Sequence, residues 1–387
     1  MSVDRNSWPL AVLLSLAAAN FAVGTGALVV AGIVPNLSDG LGVSEAASGQ
    51  LVTVYAIVYA LAAPVAGIWA SRHSERRILL AATTGLFAAN VAAVFATSYT
   101  ALVVARVAAG VFAAVVTPAA AALAARLVVP ERTGAALGLV FGGVAISTVL
   151  GVPAGAYLGA RFDWQSAFVF VSALSLLALF AQAATLPKAE GPIKRRRIAD
   201  LVAVLKSAPL VAAVGVTALQ MTAQFLPFTY IAVLLRDSFD ATPGQVFAGL
   251  LTFGIASVVG NYFGGLLSDR LGPDRTIRVG LIALPFCLAG LANMTFGFRI
   301  SLIALALWGA VGFGYNAPQQ ARLVRLAPEN AATLLALNAS AIYVGTTLGS
   351  ALGGVVVIYA GAGMLAWTGV VVSITAFLLF AMSRRLS

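Results

Sequence analysis

The sequence predicts an all-α integral membrane protein, with twelve transmembrane helices in two pseudo-symmetric six-helix bundles. Three observations carry that expectation. The 387 residues are 61% hydrophobic and only 9% charged, where a soluble domain carries about 25% charged residues. Apolar runs of roughly 20 residues, long enough to span a bilayer as helix, recur from end to end. One stretch also returns about half a chain later. Ala145-Ile146-Ser147-Thr148-Val149-Leu150-Gly151, then Gly155, reappears as Tyr343-Val344-Gly345-Thr346-Thr347-Leu348-Gly349, then Gly353. Pro130-Glu131 returns at the same offset as Pro328-Glu329. Gly67, Arg72 and Arg76 return, shifted by a similar amount, as Gly265, Arg270 and Arg275. A membrane chain made of two copies of one unit suggests a transporter with a substrate site between the copies.

The apolar runs lie near 10–34, 47–70, 78–98, 100–126, 134–159, 165–186, 208–235, 245–267, 277–297, 300–325, 332–359 and 363–383. Each is expected to be a helix, because lipid satisfies no backbone hydrogen bonds. The first reads as a retained span. Ala17-Ala18-Ala19 mimics a cleavage site, but the run continues to about Val34 and only Arg5 precedes it as a basic residue. The longest polar stretch, 188–207, holds Lys188, Lys194, Arg195, Arg196 and Arg197. It divides the chain into an N-terminal bundle (1–187), a basic cytoplasmic linker (188–207) and a C-terminal bundle (208–387). A solvated linker is the plain reading, and an anionic-lipid or regulatory site the sharper one.

The formal net charge of +10 invites a nucleic-acid partner, and its distribution argues against one. Even spacing of the spans puts Arg72, Arg76, Arg126, Arg132, the linker cluster, Arg270, Arg275, Arg322 and Arg384 on one side. Arg161, Arg236 and Arg299 fall on the other. This is the positive-inside bias, so both termini are expected in the cytoplasm, with the basic face meeting anionic headgroups. The single cysteine, Cys287, permits no intramolecular disulfide. No cofactor or metal is expected. No G-x4-G-K-[ST] loop is present for ATP, and no nucleophile–base or metal-site pattern within the spans supports an enzyme. One chain holds a complete transport unit, so a monomer suffices.

Candidate substrate or coupling residues are the polar side chains inside spans. Arg106 is the one ionisable group well inside a span. It keeps its charge, so it must be paired or hydrated. Carbonyl binding near a kink, an anionic or strongly hydrogen-bonding substrate, and proton coupling through water all remain open for it. Gln220 and Gln224 share a face of span seven, with Phe228 one turn on. Tyr315, Asn316, Gln319 and Gln320 cluster in span ten with Trp308. Asn338 and Tyr343 lie in span eleven, Asn20 and Thr25 in span one, Tyr55 and Tyr59 in span two. Each amide needs an internal partner in lipid. As a set with aromatics, they suit a neutral or anionic organic molecule. Glycines at four-residue spacing (Gly151 and Gly155, Gly260 and Gly264, Gly349 and Gly353) mark faces for close helix contact, read as static packing or as seams on which two halves rock. Pro118 and Pro153 favour kinks.

At this point the residues resemble the major facilitator superfamily along essentially the whole chain. Gly265-Leu266-Leu267-Ser268-Asp269-Arg270-Leu271-Gly272 is similar to its G-x-x-x-D-R-x-G signature. The first-half copy keeps Gly67 and Arg72, with Ser71 in place of the aspartate and Ser74 of the second glycine. Leu102-x3-Arg106-x3-Gly110 resembles the span-four motif of proton-coupled drug antiporters. Leu150-Gly151-Val152-Pro153-Ala154-Gly155-x3-Gly159 is similar to their span-five motif. Gly24-Thr25, Pro35, Pro318-Gln319-Gln320 and Leu337-Asn338 resemble the bacterial arabinose/purine-nucleoside/chloramphenicol efflux branch.

That resemblance implies the major facilitator fold, a rocking hinge at Gly151, Pro153, Gly155, Gly349 and Gly353, and a conformational latch at Gly67, Arg72, Gly265, Asp269 and Arg270. It also implies efflux by proton antiport. The branch often carries a glutamate where this chain has Ala27, and all thirteen acidic residues fall in loops or at span ends. Uptake, or uncoupled facilitation of a neutral or anionic solute, therefore stays open beside antiport.

Overall fold

The computed structural model describes residues 9–70, 74–129, 132–187, 206–293 and 297–386. The basic linker therefore lies almost wholly outside the described residues, as do Arg72 and Pro130-Glu131. Among the described residues, twelve helices are long and apolar enough to cross a membrane. They are α1 (Leu10–Gly32), α2 (Glu45–Ala63), α3 (Glu75–Val94), α4 (Tyr99–Leu127), α5 (Thr133–Arg161), α6 (Trp164–Thr185), α7 (Ala208–Phe228), α8 (Pro243–Leu271), α9 (Pro273–Ala292), α10 (Phe298–Leu326), α11 (Thr333–Ala360) and α12 (Met364–Arg385).

Local chemistry sets the ends of these helices. The Ser98 hydroxyl accepts from the Ala101 N–H at the start of α4, and the Asp163 carboxylate accepts from the Ser166 N–H at the start of α6. Thr242 and Gln245 cap each other's backbone at the start of α8. Such partners satisfy N–H groups that the first turn leaves unpaired.

Three runs that read as single spans are interrupted. The first is α-helical only to Leu28. It tightens through a 3₁₀ turn over Val29–Gly32 and continues as a short helix, Val34–Leu41. The seventh stops at Phe228, and a separate helix follows over Ile231–Phe239, so the expected span 208–235 joined two elements. In α10, Gly314 and Tyr315 separate Phe298–Phe313 from Asn316–Leu326. Apolar residues continue through the first two breaks, over Val29–Gly32 and on into Ile231–Leu235, so composition alone joins what the backbone divides there.

The chain forms two compact units. One comprises residues 1–43 and 54–196, the other 44–53 and 197–387. In the first, α1 packs on α5 and α6, and α3 on α4 and α6. The second repeats the scheme with α7 on α11 and α12, and α9 on α10 and α12. The sequence repeat is thus a repeat of packing. Each copy also carries an ion pair fastening the start of its third helix to the end of its fourth. These are Glu75–Arg126 at 2.7 Å and Asp274–Arg322 at 3.0 Å.

The glycine faces lie within these units. A Cβ on Gly151 would stand 2.0 Å from Thr25 Oγ1, and one on Gly155 2.6 Å from Val29. The matching Gly349 and Gly353 lie against the Thr222 carbonyl and against Leu226 and Tyr230. Their geometry is that of close packing between α1 and α5 and between α7 and α11. Pro153 costs α5 a hydrogen bond, and the helix absorbs the loss in one π turn over Ser147–Gly151. Pro118 sits inside α4 without ending it. Large apolar side chains such as Phe95, Phe286 and Tyr359 are exposed, as expected where lipid is the solvent.

Candidate substrate site

In the first unit, the break in α1 presents backbone carbonyls that α4 meets with a cation. Arg106 is 1% exposed. Its Nη1 donates to the Gly26 carbonyl at 2.7 Å and its Nη2 to the Ala27 carbonyl at 3.4 Å. Its guanidinium lies over the Tyr55 ring, 4.4 Å from the centroid, a cation–π geometry. Of the readings open for Arg106, carbonyl binding near a kink is the one this geometry supports. One of the carbonyls belongs to Ala27, the position where the efflux branch often carries glutamate. Tyr55 donates to the Val23 carbonyl at 3.5 Å, and Tyr59 is buried nearby on the same helix. Asn20 stands apart from this group: its Nδ2 donates to the Val140 carbonyl at 3.3 Å and ties α1 to α5.

The second unit holds two clusters. In the first, Gln220 Nε2 donates to the Gly312 carbonyl at 2.7 Å, and Trp308 Nε1 donates to Gln224 Oε1. These partners fix both amide orientations, because a carbonyl demands the NH₂ group and an indole N–H demands the oxygen. Gln220 Oε1 and Gln224 Nε2 are left buried without a partner. Gln224 Nε2 lies against Gly312, where an added Cβ would stand 1.7 Å away. Aromatic rings wall the pair. Phe228 and Phe253 are 5.0 Å apart by centroid, and Phe253 and Trp308 4.5 Å.

The other cluster centres on Thr217, which sequence reasoning missed. Its hydroxyl donates to Asn338 Oδ1 at 2.6 Å and accepts from Gln319 Nε2 at 3.1 Å. Tyr315 Oη lies 3.3 Å away. Because the Thr217 proton is committed to Asn338, Tyr315 is the donor there. Gln319 also donates to the Ala213 carbonyl at 2.7 Å. Tyr315, Gln319 and Asn338 therefore act together as a buried tie of α7, α10 and α11. Asn316 and Tyr343 are half-buried beside these helices. The available signal for Thr217 was its place three residues before Gln220, on the same helical face.

Of the latch residues, Asp269 and Arg270 are exposed at the end of α8, and Gly265 faces Ala317. Gly272 closes the signature at φ 83°, a conformation that glycine alone adopts without cost. In the first-half copy, Ser74 stands in for that glycine and caps α3 by accepting from the Arg77 N–H at 3.4 Å. Gly67 lies near the end of the helix that begins at Glu45.

A sequence model described as Major Facilitator Superfamily matches residues 16–340. The chain is 31% identical over 381 residues to the inner membrane transport protein YdhP of Escherichia coli (strain K12), covering 96% of each chain. It is 30% identical over 289 residues to a chloramphenicol resistance protein of Streptomyces lividans, covering 73% of this chain and 71% of that one. Among solved structures, a bacterial homologue of the human lysosomal transporter Spinster superposes with a TM-score of 0.82 at 16% identity, over 98% of both chains. A D-xylose–proton symporter does so with 0.80 at 16%, over 97% of both. Twelve apolar helices, the repeated packing and these similarities lead to one conclusion: the chain belongs to the Major Facilitator Superfamily and is a multi-pass membrane transporter of a small solute.

Proposed function

We propose that the chain exports a neutral organic solute across the inner membrane by alternating access. Gln220 Oε1 and Gln224 Nε2 carry this reading. One is a buried acceptor and the other a buried donor, neither has a partner, and aromatic rings surround them. Buried polar atoms left unpaired are costly, and a solute bearing both a donor and an acceptor would satisfy them. A carboxamide or hydroxyl on a partly apolar molecule has that chemistry, and the similarity to a chloramphenicol resistance protein favours it. Arg106, already held by two carbonyls and a ring, is a positioning residue for α1 rather than an anion receptor. Both termini are cytoplasmic on the positive-inside argument, the working unit is a monomer, and no nucleic acid is involved. The two bundles rock against each other about the glycine-lined helices, and Asp269–Arg270, with Arg72 in the other copy, latches the cytoplasmic face.

A second reading, uncoupled facilitation or uptake, is favoured by the placement of the acidic residues. Among the described residues these stand at helix ends or in loops, with Glu45 and Glu75 opening helices and Asp269 near the end of one. Away from its first and last turns, no described span therefore offers the carboxylate that usually carries a proton. Flux of radiolabelled chloramphenicol in proteoliposomes, with and without an imposed pH gradient, separates the two. Accumulation against the solute gradient, driven by the proton gradient, is expected for antiport; equal equilibrating flux in both conditions supports the facilitator. In the same vesicles Asp269→Asn is expected to slow flux several-fold with unchanged folded yield. Unchanged flux would remove the latch.

A further inference from the structure

Each unit fastens its third helix to its fourth through an arginine, and the two arginines differ in their surroundings. The Arg126 side chain is 37% accessible, so solvent can reach the N–H groups that Glu75 does not take. The Arg322 side chain is only 3% accessible. Its guanidinium donors must therefore be answered inside the second unit. Nε donates to Asp274 Oδ1 at 3.0 Å, and Nη2 donates to Ser383 Oγ at 2.9 Å. Nη1 is buried without a hydrogen-bond partner.

An unanswered acceptor stands one turn away. Gln319 precedes Arg322 by three residues on the helix Asn316–Leu326. Residues so spaced are neighbours on a helix surface, with Cβ atoms about 5–6 Å apart. Gln319 is fully buried. Its Nε2 is committed to the Ala213 carbonyl and to Thr217 Oγ1, which fixes the amide orientation. Its Oε1 is left without a partner.

Tyr315 lies one turn further back. The Gln319 N–H bonds its carbonyl at 3.0 Å, so Tyr315, Gln319 and Arg322 share one face of α10. Apolar side chains wall that face. Phe380 lies 5.1 Å by centroid from the Arg322 guanidinium, and it belongs to one buried cluster with Tyr315, Ile277 and Leu281.

The chemistry of the two unpaired atoms narrows what could join them. An anion would meet the Gln319 oxygen, and a cation would meet the guanidinium. A molecule that both donates and accepts satisfies the two together. Burial of both side chains keeps a lipid headgroup away.

We propose that Arg322 Nη1, Gln319 Oε1 and Tyr315 Oη bind one structural water molecule. The water accepts from Nη1 and donates to Oε1 and to Tyr315 Oη, whose own proton is directed at Thr217. A buried water typically makes about three such bonds to otherwise unsatisfied groups. This one joins the Asp274–Arg322 pair to the Thr217–Asn338 tie, so one polar chain runs from α9 through α10 to α7 and α11. The site belongs to the second copy alone. Three residues before Arg126 the first unit has Leu123, buried and apolar.

Radiolytic hydroxyl-radical footprinting of the purified full-length protein in detergent, read by peptide mass spectrometry, oxidises side chains beside bound water. Tyr55 is the control, because it is as buried as Tyr315 and its ring is covered by the Arg106 guanidinium. In the native chain Tyr315 should oxidise about fivefold faster than Tyr55. Arg322→Lys keeps a cation beside Asp274 but withdraws Nη1, and should slow Tyr315 about threefold with Tyr55 unchanged. The native comparison needs no variant, so it decides even if Arg322→Lys fails to fold. Equal native rates at the two tyrosines would make the site dry. An unchanged or faster Tyr315 rate in folded Arg322→Lys would detach the water from Nη1. Slower Tyr315 oxidation on adding sodium phosphate, with Tyr55 unchanged, would put an anion there instead. Each of these results overturns the proposal.

Discussion

Gly260→Ala is expected to destabilise the protein by about 3 kcal/mol and to lower its folded yield sharply. An added Cβ would stand 2.1 Å from the Ala310 carbonyl oxygen and 2.5 Å from Ala310 Cα. Both are backbone atoms, so no side chain can rotate aside, and α8 and α10 must separate. Gly264 meets the Gly314 carbonyl in the same way, at 2.1 Å. Helix association in lipid rests on such close approach because apolar burial gives helices little reason to prefer one another over lipid. Gly280→Ala is the control, since nothing lies within 4 Å of its Cβ position in α9. That change should leave stability equal or slightly raised through helix propensity. Thermal unfolding of both variants in detergent checks the pair; equal unfolding temperatures would show that α8 and α10 do not need the glycine contact.

Arg106→Ala is expected to cost a similar amount, about 3 kcal/mol, from lost charge-assisted hydrogen bonds, the cation–π contact and the cavity left behind. The damage falls where α1 leaves its α-helical path, because the Gly26 and Ala27 carbonyls lose their donor. Arg106→Lys should recover only part of this. One ammonium cannot bridge two carbonyls while lying flat over Tyr55, a task for which the planar guanidinium is shaped. Full recovery in Arg106→Lys, read by the same unfolding assay, would mean that charge alone matters and that the bridging geometry is incidental.

The fold was legible because lipid imposes one rule on every span: long apolar runs must be helices. The repeat was legible because Ala145–Gly155 and Tyr343–Gly353 perform the same packing task in their respective units. The breaks after Leu28 and Phe228 were not legible. Val29 and Val30 are as apolar as the helix they interrupt, Thr229 and Tyr230 stand directly between Phe228 and Ile231, and hydrophobicity does not report backbone direction.

The candidate residues were legible as polar groups in apolar surroundings, which is how Arg106, Gln220 and Gln224 stood out. Their partners were not. Arg106 is answered by carbonyls, which no sequence motif names. Thr217 looked mute in α7 because threonine is common in membrane helices, yet it joins Asn338, Gln319 and Tyr315.

The central claim is that a neutral solute binds at Gln220 and Gln224 and that Arg106 is not its receptor. A thermal-shift panel on purified protein tests it most directly, using phenicols, nucleosides, sugars, organic anions and cationic drugs on the native chain, Gln224→Leu and Arg106→Lys. A ligand at one hundred times its Kd stabilises by about 2.7 kcal/mol, enough to rank the classes. The account predicts that a neutral donor–acceptor compound stabilises the native chain and Arg106→Lys, and that the shift is lost in Gln224→Leu. Stabilisation by an organic anion that survives Gln224→Leu and vanishes in Arg106→Lys would contradict it.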